Sequence, residues 1–340
     1  MTAPIPPIPA PSAAPERTDP LPESLVDAVV IGGGAAGLSA ALMLGRSRRS
    51  VVVLDAGQPR NAPAEGIHGL LGNDGTPPAE YLARGRAEVR LYGGRVVDAT
   101  VRDARAIPSE DGDLRFRIEL ADGRALTARR VVVATGIRDE LPAIPGLAAH
   151  WGHGVVHCPF CHGYEVRDRA IGIIATQPFH AHLTLLFRAL SEDVVVFAPG
   201  VRFEEADLAR VAALGIVVRD EPIQEVVPAP DGALVGVRLA GGEVIARDVL
   251  AAGTRMVPRL DGLERLGLPI EEMPPIGAKV ASDRAGATDV PGVWVAGNVA
   301  DPAAHVGASA AAGALAGAQA HVSLVMAQAD AAVAALARTA

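Results

Sequence analysis

A chain of 340 residues that is 49% hydrophobic but only 3% aromatic, with a formal charge of -8, suits two aliphatic α/β domains. With no basic stripe to neutralise phosphates, that acidic balance excludes nucleic acid and anionic membrane surfaces as partners and leaves small molecules or proteins. No run of eighteen apolar residues occurs, so no transmembrane helix and no membrane partner are expected.

Residues 1–24 are rich in Pro and Ala, and the first basic residue is Arg17. This stretch lacks the charged start and apolar core of a signal peptide, so it reads as a disordered tail on a cytoplasmic protein. Order begins with the apolar run Val26 to Ile31, which feeds Gly32-Gly33-Gly34-Ala35-Ala36-Gly37 and then the apolar helical stretch Leu38 to Leu44. A G-x-G-x-x-G turn between a strand and a helix lets a pyrophosphate approach backbone N–H groups at the helix N-terminus. The next strand, Ser50 to Leu54, ends in Asp55, an acid placed to accept hydrogen bonds from an adenosine ribose. Strand, turn, helix and acid in register predict a dinucleotide site.

From Gln58 to Glu80 the chain is turn-rich, and a helix follows from Pro78 to Tyr92. Strand-like alternation returns at Val96 to Val101 and Leu114 to Leu120, with Asp122-Gly123 as a hairpin signal. Arg130 to Ala134 is a buried-type strand that closes on Thr135-Gly136.

The chain has two cysteines, Cys158 and Cys161, in His157-Cys158-Pro159-Phe160-Cys161-His162-Gly163-Tyr164-Glu165. Such a pair is a redox device or a ligand set. Attachment of c-type haem would require export, and zinc would have to recruit His157, His162 or His153 without a second paired-ligand motif. No metal is expected, and the dithiol/disulfide reading is preferred.

Beyond the cysteines, Ala170 to Ala175, Ala181 to Leu190 and Asp193 to Phe197 repeat the opening β-α-β plan. Their turn, Ala175-Thr176-Gln177-Pro178-Phe179-His180-Ala181, has no glycine where a phosphate would pass, and Pro178 lacks an N–H. A second Rossmann unit that kept its fold and lost its nucleotide is expected. Strands at Gln224 to Val227, Leu234 to Leu239 and Asp248 to Gly253 lead to Val290-Pro291-Gly292-Val293-Trp294-Val295-Ala296-Gly297-Asn298, and then to a small-residue helix from Ala303 to Met326.

In this order, from the glycine turn through A-T-G, C-x-x-C and the second β-α-β unit to V-P-G-V-x-x-A-G-N, the chain resembles the low-molecular-weight thioredoxin reductases over residues 26 to 326. The resemblance implies an α/β fold of two Rossmann-like domains of the three-layer ββα kind, the second inserted in the first. FAD would occupy a discontinuous domain of residues 25–141 and 255–328, and the cysteine pair would sit in the inserted unit of residues 142–254. It further implies cofactor contacts at Gly32, Gly34, Ala35, Ala36, Gly37, Asp55, Asn61, Thr135, Gly136, Gly297, Asn298, His305 and Val306, and a homodimer. Asn298 stands where the family has Asp.

His162 follows the second cysteine where typical reductases carry Asp. The string Cys-Pro-Phe-Cys-His-Gly-Tyr-Glu looks like the dithiol oxidases that close the disulfides of gliotoxin or holomycin. The implied catalytic set is Cys158, which exchanges with substrate, Cys161, which faces the flavin, and His162, an imidazole able to take a thiol proton near neutral pH. His157 and Glu165 read as orienting neighbours. With NADPH doubtful, the leading expectation is an FAD-dependent oxidase that forms a disulfide in a small-molecule dithiol, with O2 as acceptor. The alternatives are an NAD(P)H-driven disulfide reductase, with a thioredoxin-like protein as partner, and a non-catalytic flavin-binding redox sensor.

Overall fold

The computed structural model describes residues 18–109 and 111–339. Strand β1 (Val26–Ile31), helix α1 (Ala35–Arg46), β2 (Val51–Asp55), α2 (Pro78–Leu91) and β3 (Arg95–Asp98) place three parallel strands side by side, followed by the antiparallel meander β4 (Val101–Ile107), β5 (Arg115–Leu120) and β6 (Ala125–Val133). The sheet order is β3-β2-β1-β6-β5-β4. β1 and β2 consist almost wholly of buried Val, Ala, Ile and Leu, the pattern of parallel strands covered on both faces. The Asp122-Gly123 hairpin joins β5 to β6, with Gly123 at φ 89° where a side chain would be strained.

The chain then passes through β7 (Ile137–Glu140) into a second body: β8 (Val155–Val156), α3 (Pro159–His162), β9 (Ile171–Ile174), α4 (His180–Arg188), β10 (Val194–Phe197), α5 (Glu205–Ala213), β11 (Val217–Arg219), β12 (Ile223–Pro228), β13 (Leu234–Leu239), β14 (Val244–Ala246) and β15 (Val249–Ala252). Its parallel sheet has the order β11-β10-β9-β15-β8, and β12 to β14 form a separate antiparallel layer. β16 (Arg255–Pro258) returns antiparallel to β7, giving a two-strand bridge between the bodies. After β17 (Ile270–Met273) and β18 (Gly277–Val280), β19 (Val293–Val295) rejoins the first sheet beside Val131 to Val133 of β6, and α6 (Val306–Thr339) follows. The second Rossmann-like unit is thus inserted in the first.

Two expectations are corrected. Thr18 and Asp19 are not disordered: the Asp19 N–H donates to Val96 O, the Asp19 carboxylate accepts from Val96 N–H and Arg90, and Thr18 Oγ1 accepts from Asp98 N–H. The open edge of β3 offers these groups, which would otherwise lack partners. Residues 1–17 of the expected tail lie outside the described residues. The last helix also runs to Thr339 rather than Met326, and Val306–Arg338 is long and apolar enough to cross a membrane by length and composition. One stripe along its N-terminal part packs in the core, however. Ala316, Ala320 and Leu324 are buried, and a Cβ on Gly313 or Gly317 would meet the backbone oxygen of Ala36 or Ala40 at 1.9 and 2.5 Å.

Candidate active site

One cavity of about 580 Å³ runs from the α1 turn of the first body to the start of α4 in the second, with α3 in its wall. At the first turn the three motif glycines do different work. A Cβ on Gly32 (φ +105°) would lie 2.3 Å from Ala134 O, and one on Gly37 would lie 1.8 Å from Gly32 O, so both are needed for close strand–helix packing. At Gly34 a Cβ would meet nothing within 4 Å: the backbone there faces open cavity, and α1 starts with no side-chain cap on its N–H groups. Ala35 and Ala36 continue that wall, and Asn61 lines it from the turn-rich loop.

Asp55, 8% exposed at the end of β2, accepts from Gly57 N–H and from Arg86, and it too lines the cavity. Across from it the buried Thr135 Oγ1 has no hydrogen-bond partner among the described residues, and Gly136 follows at φ 72°. An open backbone cradle, an unpaired buried hydroxyl and a carboxylate at the strand end fit a dinucleotide cofactor. Gly297, Asn298, His305 and Val306 close the far side, and Gly37 is the one expected residue outside the lining.

Asn298 explains its own departure from Asp. Its Nδ2 faces the carbonyls of Asp301, Pro302 and Ala304 at 2.9–3.2 Å, and its two N–H groups are shared among these acceptors, which a carboxylate could not serve. That clamp fixes the loop leading to His305, whose carbonyl accepts from Ser309 N–H at the first turn of α6.

Pro159 occupies the first helical position of α3, where its missing N–H costs nothing, and Cys158 caps the helix, its Sγ accepting from Cys161 N–H at 3.1 Å. The short turn brings the two cysteine Cα atoms within 5.2 Å, and they are joined in a disulfide. His157 is anchored by a 3.1 Å contact of Nδ1 with Ala252 O, and burial pushes its pKa down. Burial also lowers His162, partly opposed by Glu165, and neither of its ring nitrogens has a partner among the described residues. His68, on the loop after β2, sits 3.6 Å from Glu165. On the other flank Arg60 donates two bonds of 2.6 and 2.7 Å to Asp139, which also accepts from Thr254 Oγ1, so the two-strand bridge and the turn-rich loop are tied together.

The imidazole found beside the sulfurs is His305: its Nε2 is 3.9 Å from Cys158 Sγ. Cys158, Cys161 and His305 offer three donor atoms within 4.8 Å, but joined sulfurs lack the thiolate charge zinc requires, and His157, His162 and His153 are not in this group. Sequence reasoning placed His305 only against the cofactor, and it missed His68, Arg60 and Asp139. The one signal for Arg60 and His68 was a polar, turn-rich loop too long to be a simple connection, and Asp139, in β7, carried none.

The second turn is filled from within. Thr176 N–H donates to His180 Nδ1 at 3.0 Å, and the His180 ring, 2% exposed, occupies the space a Cβ on Gly253 would need, 2.0 Å from Nε2. Burial, with His157 adding a smaller push, lowers His180 to about 4.

A glycine cradle for a dinucleotide, a Cys-x-x-Cys disulfide in the same cavity and two Rossmann-like bodies define a flavin-linked thiol/disulfide oxidoreductase. The chain belongs to the pyridine nucleotide-disulphide oxidoreductase family, whose profile matches residues 26–334, and it is an FAD-dependent enzyme of thioredoxin reductase type. It is 33% identical over 284 residues to "Thioredoxin reductase tcpT" of Claviceps purpurea, covering 81% of this chain and 87% of the relative. It is 32% identical over 300 residues to "Thioredoxin reductase sirT" of Leptosphaeria maculans, covering 83% and 89%. Among solved structures it is similar to HlmI, at 44% identity and TM-score 0.86 over 93% of this chain and 98% of that one. It is also similar to an oxidoreductase from Agrobacterium tumefaciens, at 38% identity and TM-score 0.81 over 89% and 99%.

Proposed function

We propose that this enzyme is a dithiol oxidase that closes a disulfide in a small-molecule dithiol and passes the electrons to O2. The observation that carries the reading is the contrast between the open cradle at Gly34 and the His180-filled turn in the second body, with the Cys158–Cys161 disulfide between them in one cavity. Electrons have a route in through sulfur, and the usual entrance for a pyridine nucleotide is occupied by the protein's own imidazole.

A substrate thiolate attacks Cys158 Sγ, forming a mixed disulfide as the Cys158–Cys161 bond breaks and its electron pair leaves on Cys161. The second substrate thiolate attacks the substrate sulfur of that mixed disulfide and releases Cys158, so the substrate is oxidised and the pair reduced. The Gly32–Gly37 turn, Asp55, Thr135, Gly136 and the Gly297–Val306 segment would hold FAD, which would supply the two-electron acceptor, and the net reaction is dithiol plus O2 to disulfide plus H2O2. His162, half-buried next to Cys161, exchanges a proton with the pair as its redox state changes. Residues 25–141 and 255–328 form the flavin domain and 142–254 the exchange domain. Cytoplasmic residence and a homodimer belong to the same reading.

The names of the fungal relatives favour a second reading, an NAD(P)H-driven reductase with a thioredoxin-like protein as partner. Oxygen uptake with dithiothreitol, compared with anaerobic bleaching of the flavin by NADPH, separates the two. The oxidase consumes O2 with the dithiol alone and bleaches with NADPH at least about 100-fold more slowly than with dithiothreitol. Bleaching by NADPH at a catalytic rate would overturn it.

A further inference from the structure

We infer that His305, rather than either histidine of the cysteine motif, is the base that deprotonates the incoming thiol at Cys158. The inference rests on the exchange chemistry proposed above and extends it to a residue about 150 positions away in sequence. Its Nε2 lies 3.9 Å from Cys158 Sγ, a sulfur's hydrogen-bond reach, so a thiol docking on that sulfur meets the imidazole on arrival. His305 is exposed and lines the cavity, whereas His162 is partly buried and His157 has its Nδ1 committed to Ala252 O.

From α3 His305 is faced by the two cysteine sulfurs and by the ring of Phe160, with centroids 6.1 Å apart, and on its own segment its carbonyl is used by Ser309. No ion pair among the described residues includes it. The Asn298 clamp on Asp301, Pro302 and Ala304 holds the loop that delivers it, so the imidazole is positioned before substrate arrives. In the step, the thiol S–H gives its proton to Nε2, the thiolate attacks Cys158 Sγ, the Cys158–Cys161 bond breaks, and Cys161 leaves with the electron pair. When the second thiolate expels Cys158, the imidazolium returns the proton to that sulfur, and the second thiol's proton passes to solvent.

The thiol sets the size of the effect. A cysteine-like thiol of pKa about 8.5 is only about 3% thiolate at pH 7, so a base that removes its proton is worth up to about 30-fold there and nothing once the thiol ionises by itself. The test reacts the anaerobic holoenzyme with free cysteine, quenches by alkylation and follows the mixed disulfide by mass spectrometry, a readout independent of flavin turnover. His305→Asn should form the adduct about 10- to 30-fold more slowly at pH 7 and within about twofold of the wild type at pH 9.5. The adduct should sit on Cys158, and added imidazole should restore the rate in His305→Ala.

An equal slowing at every pH, no slowing at pH 7, or an adduct on Cys161 would overturn the inference. Failure of the oxidase reading looks different: no oxygen uptake, with the His305 dependence of adduct formation intact.

Discussion

The turn after β1 and the turn after β9 occupy equivalent places in two copies of one β-α-β plan, and they differ in where their backbone N–H groups point. At Gly34 the absence of a side chain leaves an open floor under the start of α1. In the second turn Thr176 N–H is already satisfied by His180, and Gly253 across the sheet has no Cβ, which is what lets that ring in. A nucleotide turn is therefore lost in two ways at once: the glycines go, and a side chain takes over the donor the phosphate would have used. The fold survives because β9, β10 and β15 bury their apolar faces independently of what occupies the turn.

The sharpest way to break that comparison is to fill the open turn. Gly34 has extended backbone (φ -78°, ψ -173°) that valine adopts readily, and its added Cβ would meet no protein atom, so Gly34→Val should fold normally and yet purify colourless. A loss of flavin affinity of at least about 100-fold, roughly 3 kcal/mol, is expected. Thr176→Val, an exposed position in the other turn, should keep full flavin content. The measurement is visible flavin absorbance per mole of protein, and a yellow Gly34→Val would show that the open floor is not the cofactor's.

The second turn can be tested through pH. His180 is held near 4 by burial, below the unfolded value of about 6.5, so the unfolded chain binds the extra proton. Stability is full above about pH 6.5 and falls as pH drops towards 4, by about 2 kcal/mol at pH 5. In urea titrations at pH 7 and pH 5, His180→Asn should lose that increment. An unchanged pH difference would mean that the ring is not sealed in the turn.

Much of this was legible in the chain because it depends on local spacing. The glycine turn, the strand ending at Asp55 and the C-P-x-C helix start are set within a few residues each. The filling of the second turn was half legible: Pro178 and the missing glycines signalled the loss, but His180 entering beside Gly253 depends on a strand seventy residues away. His305 next to Cys158, His68 near Glu165 and Arg60 on Asp139 are meetings across domains, and no periodicity within one segment encodes them. Thr18 and Asp19 were misread for the same reason, since a Pro-rich composition says nothing about a free strand edge at β3 that can order its end.

Asn298 links the flavin side of the comparison to the sulfur side, and it gives the smallest and most specific effect. In Asn298→Asp the donated bonds shared among Asp301, Pro302 and Ala304 become contacts between a carboxylate and carbonyl oxygens, so the loop before His305 should loosen at a cost of about 1–3 kcal/mol. Denaturation should report that loss. The rate of mixed-disulfide formation at Cys158 should fall with it, because the imidazole 3.9 Å from the sulfur is carried by the same loop. A destabilised Asn298→Asp whose Cys158 reacts at the wild-type rate would uncouple the clamp from the thiol chemistry, leaving Asn298 as a support for the cofactor alone.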